Sequence, residues 1–118
     1  MGVGFSSESA GLIGPHWAYG GFGRFRRRLA ESEGFALDEM EGFKGRRSWS
    51  DVATPLEPLL NHSDCDGELT PEECAQVAPR LREVISTWLP DDYDARSGMD
   101  LADAMEQCAA NDENLEFC

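Results

Sequence analysis

Apolar residues recur at helical spacing in several stretches of this chain. Cys74, Val77, Ala78, Leu81, Val84 and Ile85 fall on one face of a predicted helix. Thr70-Pro71-Glu72-Glu73 stands in front of it as a capping box, with proline at the first helical position. Pro79 lies inside this helix and cannot donate to the Ala75 carbonyl, which predicts a kink. Phe22, Phe25 and Leu29 line one side of a helix predicted over 22–32, and Gly34 is a fitting stop. Leu101, Ala102, Met105, Cys108 and Ala109 form the packing face of a last helix over 98–110, with Ser97-Gly98-Met99-Asp100 as its capping signal. Leu56, Leu59 and Leu60 make a short apolar face behind a second capping box, Thr54-Pro55-Leu56-Glu57.

Between these stretches the pattern loosens. Residues 1–21 are rich in glycine, with scattered aromatics and short extended segments expected around Val3–Phe5 and Gly11–Ile13. Leu37, Met40 and Phe43 point inward from a short helix or turn, and Trp49 anchors a connector to the core. Trp88-Leu89-Pro90 ends the long helical run, and Leu115 and Phe117 can tuck back from the acidic tail. The fold class expected is mainly α: a small single domain over 1–118, of about four to five helices, with a short β or irregular N-terminal segment.

The stretch that carries chemistry is His62-Ser63-Asp64-Cys65-Asp66-Gly67-Glu68-Leu69-Thr70-Pro71-Glu72-Glu73. A hard cation such as Ca²⁺ needs about six to eight oxygens, which a twelve-residue loop supplies from positions 1, 3, 5, 9 and 12 and a backbone carbonyl at 7, with glycine at 6 for the sharp turn. With Gly67 at position 6, Asp64 falls at 3, Asp66 at 5, the Glu68 carbonyl at 7, Thr70 at 9 and Glu73 at 12. Residues 54–88 therefore resemble one helix–loop–helix of the EF-hand family. The resemblance implies Asp64 and Asp66 as monodentate metal ligands, the Glu68 carbonyl as a third, Thr70 acting directly or through water, and Glu73 as bidentate. His62 departs from it, because the family expects aspartate at position 1 and imidazole suits a hard cation poorly. The implied Ca²⁺ affinity is ~10⁻⁴–10⁻³ M or worse; the alternative is the same turn and cap with no metal. Such hands commonly pair. A second loop is absent, so either another element of this chain packs beside Leu69 or two copies pair as a homodimer.

Charge narrows the partners. The net charge of −13 divides into +1 over residues 1–50 and −14 over 51–118. Direct nucleic-acid binding by the second half is therefore not expected, since phosphate contacts need positive charge. The one strong basic patch, Arg24, Arg26, Arg27 and Arg28, would meet phosphate or an acidic partner or, more simply, form a solvated helix face partly neutralised by the acidic second half. With one lysine against nine arginines, and abundant alanine and glycine, the chain loosely resembles small uncharacterised actinobacterial and actinophage proteins. Cys65, Cys74, Cys108 and Cys118 contain no C-x-x-C pair, and without a visible secretory signal they are read as reduced. A zinc site from His62, Cys65, Cys74 and Cys108 is conceivable in ligand type, but Cys74 sits on an apolar helix face. No apolar run approaches the ~20 residues that span a bilayer, so a cytoplasmic protein is expected. No nucleophile–base constellation appears. The leading expectation is a small acidic, non-catalytic binding or regulatory module with a degenerate hand. The alternative is an acidic interaction protein, of phage origin in one version, engaging the basic surface of a nucleic-acid-binding partner.

Overall fold

A computed structural model describes residues 2–63 and 66–117. The elements follow the chain as strand β1 (Phe5–Ser7), strand β2 (Gly11–Leu12), helix α1 (Tyr19–Ser32), helix α2 (Glu57–Leu60), strand β3 (Glu68–Leu69), helix α3 (Pro71–Ile85), helix α4 (Tyr93–Ala110) and strand β4 (Leu115–Phe117). Two 3₁₀ turns, Leu37–Glu39 and Trp49–Asp51, interrupt the connection from α1 to α2. The fold is mainly α, and the strands add a small antiparallel sheet in the order β2-β1-β4-β3. None of the described helices is long and apolar enough to cross a membrane.

The core follows the periodicities. Phe22, Phe25, Leu29 and Ala30 of α1 are buried, and α3 buries the six positions on its apolar face. A cluster of Phe5, Trp17, Phe22, Phe25 and Phe117 joins α1 to the sheet, with Trp17 stacked on Phe25 at 4.6 Å between centroids. Each large side chain taken fully out of water contributes about 1.5–3 kcal/mol, so these five rings are a principal stabilising group. Trp49 is held as an anchor: its indole N–H donates to the Glu41 carbonyl and its ring meets Phe35 and Phe43 edge-on.

Several boundaries differ from expectation for identifiable reasons. Helix α1 starts at Tyr19, three residues early, and carries Gly20, Gly21 and Gly23 within its first turns. Helix α2 is a single turn; its N-cap is Leu56, and Thr54 Oγ1 accepts from the Leu56 N–H instead of closing a box with Glu57. Its C-cap is Asn61, and just beyond it the Leu60 and His62 carbonyls accept from the Arg26 guanidinium. Helix α3 contains Pro79, as expected, on its exposed side. Helix α4 begins five residues before the expected 98, because Asp92 caps it: Asp92 Oδ1 accepts from the Asp94 and Ala95 amides. Ser97-Gly98 is therefore not a cap. Both residues are buried inside α4, and a Cβ on Gly98 would overlap the Ile85 Cδ1 methyl and crowd the Phe25 ring at 3.1 Å.

The tail forms β4, which lies between β1 and β3. Phe5 pairs with Phe117 and Ser6 with Glu116; on the other side Glu68 pairs with Glu116 and Leu69 with Leu115. Alternation along each strand sends Phe5, Leu69, Leu115 and Phe117 inward. The strand beside the loop comes from the same chain, with Leu69 paired to Leu115.

Candidate functional site

The loop begins where α2 ends and closes on α3. Gly67 adopts φ +89°, the left-handed conformation the sharp turn demands. Thr70 and Glu73 form the expected capping box: Thr70 Oγ1 accepts from the Glu73 amide at 3.2 Å, and Glu73 Oε1 accepts from the Thr70 amide at 2.9 Å. Glu73 therefore turns its carboxylate back to the helix start. Asp66 and Glu68 are exposed, with Glu68 directly opposite Glu116. Asp64 and Cys65 lie outside the described residues.

His62 occupies the interior of the turn. Its Nδ1 is 2.8 Å from the Ser63 carbonyl oxygen and its Nε2 is 3.1 Å from the Glu68 carbonyl oxygen. Both partners only accept, so a neutral ring serves one of them and an imidazolium serves both. The ring stacks on Phe117 at 4.0 Å and 22°, and a Cβ at position 67 would come within 3.1 Å of it. The Phe117 amide in turn donates to the Gly67 carbonyl at 2.9 Å. The position-7 carbonyl, an oxygen the EF-hand pattern assigns to a cation, therefore faces a ring nitrogen.

Helix α1 supports this loop. Arg26, only 4 % exposed, donates from Nη1 to the His62 carbonyl at 2.6 Å and reaches the Leu60 carbonyl at 3.5 Å. Its guanidinium lies over the Phe22 and Phe43 rings at 4.8 and 5.3 Å. Neither a partner-facing patch nor a solvated face describes this arginine, which is buried; its place four residues after Phe22 and next to Phe25 is the signal that it can turn inward.

The other arginines of the patch separate. Arg28 bridges the two halves of the chain, pairing with Asp92 and Asp94 at 3.0 Å each and stacking at 3.8 Å over Trp88. That guanidinium holds the Asp92 carboxyl below the usual carboxylate range. Asp94 also accepts from the Trp17 indole at 3.1 Å. Arg27 pairs with Asp38 at 3.3 Å on the surface. Arg24 is exposed and makes no ion pair among the described residues. Two further arginines tie helices together: Arg80 binds Glu33 and Glu83, and Arg82 binds Asp103 and Glu106.

The cysteines give no soft-metal centre among the described residues. Cys74 and Cys108 are buried, and desolvation, with Cys108 and Glu73 nearby, pushes the Cys74 thiol up to about 12. No group of three His, Cys, Asp or Glu side chains arranged to hold a metal occurs among the described residues. Beside the loop, an open cavity of about 700 Å³ separates α1 from the Leu37–Phe43 segment.

The chain matches no protein-family model, no curated protein and no solved structure.

Proposed function

We propose that this chain is a small acidic, non-catalytic binding or regulatory module built on a degenerate EF-hand-like turn that binds a divalent cation weakly or not at all. The observation that supports this reading is the His62 ring lying across the turn, with Nε2 3.1 Å from the Glu68 carbonyl oxygen and the ring stacked on Phe117. A cation entering the loop would have to displace that ring, and Glu73 would have to leave its capping box. Ca²⁺ would be held by Asp64, Asp66, the Glu68 carbonyl, Thr70 and Glu73, a set short of one carboxylate at His62. Removing one anionic ligand from a loop of this kind shifts its affinity toward ~10⁻⁴–10⁻³ M.

Titration with Ca²⁺, Mg²⁺ and Zn²⁺, followed by NMR at the Gly67 amide, tests the reading. Half-saturation at about 0.1 mM Ca²⁺ or above, or no saturable shift at all, is expected. Saturation in the micromolar range would overturn it.

A second reading makes the acidic surface the working part, engaging the basic face of a nucleic-acid-binding partner. Glu68 directly opposite Glu116 favours it, because like charges facing across strands repel and a cationic partner relieves them. Titration with oligolysine should then move amides centred on β3 and β4. Shifts spread evenly over all acidic surfaces would remove this reading.

A further inference from the structure

The cavity between α1 and the Leu37–Phe43 segment is unlike the rest of the surface. The chain carries 23 carboxylates, yet none lines this cavity among the described residues; Arg26 and Arg27 do. Leu37 and Phe43 supply apolar wall, Tyr19 stands at the edge, and Gly20 and Gly23 form the α1 side. The volume of about 700 Å³ lies within the range of small-molecule sites.

The two glycines have no packing explanation. Each costs a helix about 1 kcal/mol relative to alanine. Neither has positive φ. A Cβ on Gly20 would meet only Arg24 Nη1, and one on Gly23 only Arg27 Nη1, each at an ordinary 3.6 Å. Gly98, by contrast, is required by its neighbours. What the glycines at 20 and 23 provide is open room over the helix backbone, inside the cavity.

We propose that this cavity binds a small organic anion with a flat apolar part. The flat part lies over Gly20 and Gly23 against Phe43 and Leu37, and the anionic group pairs with Arg27. Arg27 is available for exchange because its bond to Asp38 is an ion pair with both side chains more than half exposed, and such pairs contribute little. Arg26 adds fixed positive charge at the back, held by the His62 carbonyl and the Phe22 and Phe43 rings. His62 and Ser63 of the loop also line the cavity, so the test is run in chelator, where the loop holds no cation.

The test uses 8-anilinonaphthalene-1-sulfonate as a flat anionic probe and N-phenyl-1-naphthylamine as its uncharged counterpart, on the whole chain at neutral pH. One saturable site for the anion is expected, with amide shifts at Gly20, Gly23 and Phe43, and at least tenfold weaker binding of the neutral probe. Gly23→Leu fills the floor and should abolish binding while leaving melting temperature unchanged or higher, since leucine is the better helix former. Arg27→Gln should weaken the anion about tenfold and leave the neutral probe unaffected. Gly20→Leu serves as a second blocking variant should Gly23→Leu fail to fold. Equal affinity for the two probes, undiminished binding in the folded blocking variant, shifts centred on Trp88 and Met99, or no binding at millimolar probe would each overturn the proposal.

Discussion

His62 Nε2 reaches the Glu68 carbonyl oxygen at 3.1 Å, from position 1 of the loop to position 7. An aspartate at position 1 is too short to repeat that bond or the stack on Phe117. His62→Asp should therefore lower metal-free stability by about 1–2 kcal/mol, from one hydrogen bond and one ring contact. It should also restore the carboxylate that a cation needs, so millimolar Ca²⁺ should recover part of the loss. Urea unfolding with Ca²⁺ and with chelator measures both. An equally small Ca²⁺ effect on wild type and variant would show that the loop register is wrong.

Glu73 separates capping from ligation. Gln serves in a capping box as Glu does, so Glu73→Gln should stay within about 0.5 kcal/mol of wild type without metal. Glu73→Ala should lose about 1 kcal/mol. Thermal unfolding with and without Ca²⁺ completes the comparison, and Ca²⁺ that stabilises wild type but not Glu73→Gln would make Glu73 a ligand after all.

Arg26 and Arg28 belong to one helix but should fail differently. Arg26→Met leaves the buried Leu60 carbonyl and the part-buried His62 carbonyl without that donor, costing about 2–4 kcal/mol. Its effect should be the same at low and high salt. Arg28→Gln breaks a half-exposed bridge to Asp92 and Asp94, and its smaller cost should shrink as salt screens the pair. Urea midpoints at about 20 mM and 500 mM NaCl decide; on these Debye lengths, a salt-dependent Arg26→Met would mean its role is charge, not carbonyl support.

Acid should act partly through Asp92. Its carboxyl is held below the ordinary value by Arg28, and its Oδ1 caps α4. A lowered folded-state pKa means that this stabilisation is complete above the unfolded value, ~3.9, and is lost as pH falls through the folded one. Asp92→Asn keeps a competent cap without the charge. Stability measured from pH 7 to pH 2 should fall less steeply below about pH 4 in the variant. Parallel curves would assign the acid sensitivity to Glu106 and Glu113, which Arg82 and Ser9 hold low in the same way.

What could be read from the sequence was local. Gly67 at φ +89°, the Thr70–Glu73 box and the apolar face of α3 each depend on residues within a few positions of one another. Asp92 was missed because Ser97-Gly98 offered a competing cap, and only contact with Ile85 and Phe25 reveals why a glycine stands there. Arg26 was missed because a charged residue among other arginines reads as surface until Phe22, Phe43 and two carbonyls surround it. Strand β4 has three residues, too few for an alternation to declare itself, and its partners are far away in sequence. The resemblance to a hand gave positions for cation ligands, and it could not foresee that Phe117 would stack on the residue at position 1.

Strand β4 also sets an order of events in folding. The α3–α4 hairpin closes through neighbours in sequence, whereas Phe5 finds Phe117 only after closure across nearly the whole chain. Loop-closure entropy favours the nearer contacts. The hairpin should form early, and β1, β3 and β4 should zip together late. Until then His62 has no aromatic surface to rest on, and Leu69 has no strand beside it. The transition state should accordingly be sensitive to substitutions at Leu81 or Leu101 and nearly blind to those at Phe5 and Phe117, whose loss would appear as faster unfolding.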